Sequence, residues 1–241
     1  MSCDRIGQTG SVISQFAAND LPAAVLWDLD GTLVDTEPAW MEAEVRLANK
    51  HGVPWTAADA LALVGTSLPN AGRIFQDLGV PGTIDEIVDE LIGVVIDILG
   101  DRIEWQPGAR RLLAELHDAG VPQVLGTMSY REMADIIVKG APDGCFVASV
   151  TGDEVANGKP HPEPYLKAAE MIDVDITRCV AVEDSPTGLA SATAAGARVI
   201  GVQRQVPVPD APGRSRLAGF DNMNVETFIA IANGAVVDEL S

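Results

Sequence analysis

The sequence predicts an α/β fold: a doubly wound, mostly parallel sheet with a Rossmann-like core and an inserted all-helical unit. Three observations predict it. Four short apolar runs have the length and the Val-, Ile- and Leu-rich composition of strands buried on both faces. They are AAVLW before Asp28, VPQVLGT ending at Thr127, CVAVED ending at Asp184, and ARVIGV at 197–202. Segments with helical start and stop residues lie between them, and this alternation builds a parallel sheet. The stretch from about 37 to 106, between the first run and the second, carries amphipathic helical patterns and no strand pattern.

Taken in order, residues 1–21 form a loose N-terminal extension, since the apolar run in MSCDRIGQTGSVISQFAAND is too short for a signal peptide and Asp4 stands beside Arg5. The core is expected over 22–36 and 107–241, with a helical cap over 37–106. In the cap, Ile84, Ile87, Val88, Leu91, Ile92, Val95 and Leu99 follow helical spacing, with Asp85, Glu86, Asp89 and Glu90 opposite. Twelve acidic and four basic residues between 37 and 106 read as a solvated acidic face. Pro107 opens the next helix, PGARRLLAELHDAG, and Gly120 closes it. A fifth, weaker strand run is CFVASVTGDE, 145–154. Ser185 and Pro186 cap the start of SPTGLASATAAG, which ends at Gly196, and PVPDAPG at 207–213 reads as a surface loop.

A chain of 241 residues, 47% apolar, is long enough for one full α/β core plus a smaller unit. Its formal net charge of −19 argues against nucleic acid and anionic membrane as partners, because both would be repelled. An anionic ligand must therefore meet a local positive site. Cys3, Cys145 and Cys179 are odd in number, far apart and outside any CxxC pair, which fits reduced thiols and a cytoplasmic location. No apolar stretch approaches the roughly 20 residues of a membrane span; Asp97 breaks the best candidate, LIGVVIDILG. A soluble monomer is expected.

Four polar features sit at or just after predicted strand ends: DLDGT, GTMS, GKPHP after TGDE, and EDS. In open parallel sheets these ends converge on the ligand crevice. Asp28 and Asp30, two apart in extended chain, can face one side, where two carboxylates repel unless a cation or proton intervenes. Each feature has a plainer reading. Asp30-Gly31 could be a hairpin turn, but LVDTEP does not look like a returning strand. An EF-hand loop fails because Leu33 occupies the sixth position, which needs Gly. Lys159 alone could be a surface lysine, Thr127 a strand-end hydroxyl, and Glu183-Asp184 an acidic helix start. The whole set, in order at strand ends, favours a site.

With these motifs the chain resembles the haloacid dehalogenase superfamily, in its branch of phosphatases and phosphomutases with a helical cap after the first motif. The resemblance runs from about Ala23 to Val202. It implies Asp28 as nucleophile and Asp30 as acid/base, from DLDGTLVDTE. Thr127 in VLGTMS and Lys159 in GKPHPEPY are then phosphate-binding, with the backbone N–H groups near Leu29 and Met128. Asp28, the Asp30 carbonyl and Asp184 are implied as Mg²⁺ ligands, with Glu183 reaching the ion through water. The implied activity is Mg²⁺-dependent hydrolysis of a small phosphomonoester, a sugar phosphate or similar metabolite, through an aspartyl-phosphate.

Asp30 argues against a dehalogenase, and GTSLPN, 65–70, lacks the lysine that a phosphonate hydrolase would need. A β-phosphoglucomutase-type enzyme stays open as the alternative, and so does an inactive family member that binds a metabolite. Substrate choice is expected from Gly65, Thr66, Ser67, Asn70 and Arg73. Trp27 is read as core packing, Met128 as contributing its backbone, and His161 as an exposed loop residue.

Overall fold

The computed structural model describes residues 20–63 and 66–241. Six parallel strands run β1 (Val25–Trp27), β2 (Gln123–Gly126), β3 (Ala148–Val150), β4 (Val180–Glu183), β5 (Arg198–Val202) and β6 (Arg214–Leu217). Their order in the sheet is β3-β2-β1-β4-β5-β6. The first strand is therefore central, pairing through Trp27 with Leu125 on one side and Val182 on the other. The four strong apolar runs and the weaker fifth all become strands.

Being central, β1 must bury both faces, and Ala24 through Trp27 are fully buried. Alternation sends Val25 and Trp27 into one core and Ala24 and Leu26 into the other. The helices are α1 (Glu37–His51), α2 (Ala57–Leu63), α3 (Leu68–Asp77), α4 (Ile84–Asp101), α5 (Ala109–Asp118), α6 (Arg131–Gly140), α7 (Glu163–Glu170), α8 (Pro186–Ala195) and α9 (Val225–Ala232). Side chains of α5, α6 and α9 fill the first core, those of α7 and α8 the second, so the sheet is wound on both faces.

Among the described residues, the elements between β1 and β2 are the helices α1 to α5, and α1 to α4 fall within the 37–106 stretch. The apolar stripe expected around residues 84–99 is buried in α4, including Ile87, Val88, Leu91, Ile92, Val95 and Leu99. Thr83 starts it with a capping box: its hydroxyl accepts from the Glu86 N–H, and the Glu86 carboxylate accepts from the Thr83 N–H at 2.7 Å. Ser185 caps α8 as expected, accepting from the Gly188 N–H at 3.0 Å, and Gly196 ends that helix in the left-handed conformation.

Two features depart from the sequence reading. Strand β6 escapes it because RSRL alternates polar and buried residues at the sheet edge and lacks an apolar run. The 207–213 segment is irregular, as a loop should be, yet Val208 is buried in the second core instead of lying on the surface. Cys145 and Cys179 are free and buried; Cys3 lies outside the described residues. Among the described residues, no helix is long and apolar enough to cross a membrane.

Trp27 packs edge-on against Phe220 at 5.9 Å between ring centroids and at a tilt against Phe228 at 5.8 Å. Its indole N–H donates to Gln123 Oε1 at 3.0 Å, and the Gln123 amide donates onward to the Leu113 carbonyl at 2.8 Å. The core-packing reading of Trp27 therefore holds. Trp27→Ala is expected to cost about 3–5 kcal/mol, the range for removing a large core aromatic, measured by urea unfolding.

Candidate active site

The strand order reverses between β1 and β4, the point at which the carboxyl ends of an open parallel sheet commonly receive a ligand. Asp28 follows β1 directly, and its N–H still pairs with the Val182 carbonyl at 3.0 Å. Glu183 is the last residue of β4, and Asp184 follows it. Three carboxylates thus stand at the ends of two adjacent strands, with one oxygen from each within 4.8 Å of the others.

Lys159 answers them. Its Nζ lies 2.6 Å from Asp28 Oδ1 and 2.6 Å from Glu183 Oε1, and its side chain is 5% exposed. The ammonium also sits over the Tyr165 ring, 5.0 Å from the centroid, while the Tyr165 hydroxyl donates to Glu183 Oε1 at 2.7 Å. Glu183 is fully buried, and its second oxygen accepts from the Ser185 hydroxyl at 3.2 Å. Burial alone would lower the Lys159 pKa, but the charges of Asp28 and Glu183 outweigh it and raise it. Burial raises the Asp28 carboxyl well above the carboxylate range, helped by the Glu183 charge. Asp184 is pushed up to about 7 by burial, then by Glu183.

Asp30 has different company. Its Oδ1 accepts from the Thr36 hydroxyl at 2.7 Å, and its Oδ2 accepts from Ser129 at 2.6 Å and Thr127 at 3.2 Å. A tight turn aims it there: the Leu29 carbonyl accepts from the Leu33 and Val34 N–H groups, and the Gly31 N–H returns to the Val34 carbonyl at 2.9 Å. Gly31 has φ +79°, and a Cβ there would run into Asp184 Oδ2, so glycine is required twice over. Gly188 is required by a similar approach, since a Cβ would overlap the Glu183 carboxylate.

Asp28, Asp30, Thr127, Lys159, Glu183 and Asp184 therefore come together as the motifs suggested. Leu29 is buried at the turn. The N–H groups of Leu29 and Met128 carry no hydrogen bond to a described residue. The Met128 side chain does more than the sequence reading gave it: its sulfur accepts from the Lys159 N–H at 3.4 Å, bracing the lysine loop. His161 is an exposed loop residue, as expected. Ser67, Asn70 and Arg73 are exposed around the start of α3 and Thr66 is half-buried. Among the described residues, none of the four bonds to the strand-end acids. Gly65 lies outside the described residues.

Sequence reasoning missed five contributors. Thr36, Ser129 and Tyr165 stand inside the quoted motifs, where adjacency to a recognised residue was the available signal. Arg204 and Gln106 have no motif. The Arg204 Nε and the Gln106 amide both donate to the Gly31 carbonyl, at 3.2 and 3.0 Å, and the guanidinium stacks 4.9 Å over Phe220.

The donor set fits a hard divalent cation such as Mg²⁺: oxygen ligands only, gathered tightly and mutually repelling. Glu183 has both oxygens engaged by Lys159, Tyr165 and Ser185, whereas Asp28 Oδ2 and Asp184 Oδ2 stand outside the hydrogen bonds among described residues. Asp28 and Asp184 are thus the better-placed ligands.

Residues 22–196 match the family described as haloacid dehalogenase-like hydrolase. The chain is similar to hexitol phosphatase A of Escherichia coli, 34% identical over 76% of this chain and 84% of that protein. It is also 35% identical to a bifunctional riboflavin kinase/FMN phosphatase of Arabidopsis thaliana over 76% of this chain. There it spans 48%, about half, of that longer protein's length. Among solved structures, CbbY from Rhodobacter sphaeroides in complex with phosphate superposes with a TM-score of 0.75. That pair is 28% identical and covers 84% of this chain and 96% of CbbY.

A carboxyl raised in the folded state favours folding most below its ordinary pKa and loses that contribution as pH rises through the folded value. For Asp184 the window runs from 3.8 to about 7. Thermal unfolding of metal-free protein should show stability falling across this window, with a smaller fall in Asp184→Asn. Added Mg²⁺ should restore stability above the window in the parent and much less in the variant.

Proposed function

The chain belongs to the haloacid dehalogenase-like hydrolases, and on that premise we propose that it is a Mg²⁺-dependent phosphatase acting on a small phosphomonoester of a sugar or sugar alcohol. The observation that carries the reading is the separation of two neighbouring carboxylates into unlike surroundings. Asp28 is bound by an ammonium, and Asp30 is held by three hydroxyls. Such a split matches one carboxylate used as nucleophile and the other as acid/base.

On this reading Asp28 attacks phosphorus and forms an aspartyl-phosphate. Asp30 protonates the leaving alkoxide and then takes a proton from the water that cleaves the intermediate. Lys159 neutralises the phosphoryl oxygens, with the Thr127 hydroxyl and the N–H groups of Leu29 and Met128 as further donors. Mg²⁺ would be held by Asp28, the Asp30 carbonyl and Asp184, and when bound would neutralise charge on the transferring phosphoryl group. Glu183 acts mainly by fixing Lys159, whose Nζ it accepts at 2.6 Å.

Residues 37–106 are read as the cap that closes over this site and excludes water. In support, α1 begins one residue after Thr36, whose hydroxyl already holds Asp30. Substrate choice by Thr66, Ser67, Asn70 and Arg73 belongs to the same reading. The hexitol phosphatase resemblance supports a polyol ester as substrate.

Incubation with sugar and alditol phosphates plus Mg²⁺ should release inorganic phosphate. Asp28→Asn should abolish turnover, and Asp30→Asn should lower kcat by roughly 10²- to 10⁴-fold, the span of general acid–base catalysis. Unchanged turnover in Asp28→Asn would sink the mechanism. Conversion of β-glucose 1-phosphate to glucose 6-phosphate without phosphate release would favour the mutase instead.

A further inference from the structure

Arg204 carries a charge that the proposed mechanism leaves unused, yet it bonds the turn that follows the two aspartates. It lies two residues beyond β5, at the same end of the sheet as Asp28 and Asp184. Its Nε donates to the Gly31 carbonyl at 3.2 Å, and the Gln106 amide donates to the same oxygen at 3.0 Å. The face of the guanidinium rests on the buried Phe220 ring, 4.9 Å from its centroid, and Nη1 donates to the Gln203 carbonyl at 3.3 Å. A planar cation with donors along its edge can stack and bond at once, which a lysine ammonium cannot.

Such a hold matters at Gly31. Glycine is forced there, because a Cβ would run into Asp184 Oδ2 and φ is +79°. Glycine also has the freest backbone of any residue, so the turn is loosest where it must keep its shape. The chain restrains it from both sides. The Gly31 N–H donates to the Val34 carbonyl at 2.9 Å, and since the peptide is planar and trans this fixes the direction of the Asp30 carbonyl. Arg204 and Gln106 fix the next peptide, which leads to Thr32. The fully buried Thr32 donates its hydroxyl to Asp184 Oδ1 at 3.2 Å. Two of the three proposed Mg²⁺ ligands, the Asp30 carbonyl and Asp184, are therefore oriented through Gly31.

We propose that Arg204 is a positioning residue of the Mg²⁺ site: by holding the Gly31 carbonyl it keeps the Asp30 carbonyl and Asp184 aimed at the ion, acting through the turn and not by contact with ion or substrate. The assignment rests on the Mg²⁺-dependent phosphatase reading and adds to it a residue on which metal affinity depends. The direction of the effect separates a clamp from a nearby charge. A guanidinium acting only as a charge repels Mg²⁺, so its removal would tighten binding. A guanidinium acting as a clamp weakens binding when it is lost.

The test follows melting temperature against Mg²⁺ concentration, with Mg²⁺ alone, in the parent, Arg204→Met, Arg204→Lys, Gln106→Leu and Arg111→Met. Arg111 is the control: it donates to the Phe220 and Met223 carbonyls at 2.8 and 3.0 Å, tying down the segment under Arg204 without a bond to Gly31. Affinity for Mg²⁺ should fall roughly 10- to 100-fold in both Arg204 variants, the usual loss on removing a support behind a metal ligand. Gln106→Leu should lose less, since the donor removed is neutral. Arg111→Met should melt lower and keep the parent's affinity. The Mg²⁺ concentration for half-maximal phosphate release should rise by the same factor in the Arg204 variants, with KM for hexitol phosphate at saturating Mg²⁺ near that of the parent. Parent affinity in both Arg204 variants, tighter binding in Arg204→Met, or an equal loss in Arg111→Met overturns the role of Arg204 and leaves the phosphatase reading standing. If neither Arg204 variant folds, parent affinity in Gln106→Leu overturns it. A parent that Mg²⁺ does not stabilise overturns the metal reading and this role together.

Discussion

Three carboxylates at the ends of two adjacent buried strands repel one another, and the ammonium of Lys159 is the cation the chain itself places among them. It bonds Asp28 and Glu183 at once and is nearly excluded from solvent. In such surroundings an unpaired charge costs several kcal/mol, so lysine and carboxylates hold one another in place. The contact spans 131 residues of chain, from the first strand to the loop before α7. Tyr165, Ser185 and the Met128 sulfur then act as its supports: two fix Glu183, and the third fixes the backbone of the lysine loop.

The same constraint explains local features that look unrelated in sequence. Gly31 lacks a side chain because Asp184 fills that space, and Gly188 lacks one because Glu183 does. The turn at Gly31 separates Asp30 from Asp28, handing one carboxylate to an ammonium and the other to hydroxyls. Arg204 and Gln106 grip the Gly31 carbonyl from two segments far from it in the chain, 173 and 75 residues away. Gln106 closes the helical insertion and Thr36 precedes it, so both connections of that insertion touch the turn carrying the two aspartates. A movement of the helices would reach Asp30 through the Thr36 bond and its neighbour Gly31 through the Gln106 bond.

An acidic protein that handles an anionic ester has to concentrate its attraction. With a formal charge of −19, its general field repels phosphate, and the compensation is local: one buried lysine, strand-end N–H groups, and a carboxylate cluster suited to a divalent cation. The surplus of acid in the helical insertion is mostly solvated surface. Glu44 differs from it in being buried, with its Oε2 lacking a hydrogen-bond partner among the described residues.

The central strands, the helical insertion and the six polar residues of the motifs could be read directly from the chain. They depend on short-range regularities: apolar runs for doubly buried strands, 3.6-residue spacing in α4, glycine and serine at helix ends, and polar residues at strand ends. Strand β6 could not, because an edge strand needs only alternate burial and RSRL has no apolar run. Neither could the burial of Val208, which depends on a space beside Gly201 formed by other parts of the chain. By itself the sequence determined which polar residues would stand at the strand ends and in what order they occur. The tertiary structure alone decided the pairings: Asp28 with Lys159, Asp30 with three hydroxyls, and Arg204 on the Gly31 carbonyl. Pairing is a matter of distances between elements far apart in the chain, and no local spacing encodes those distances.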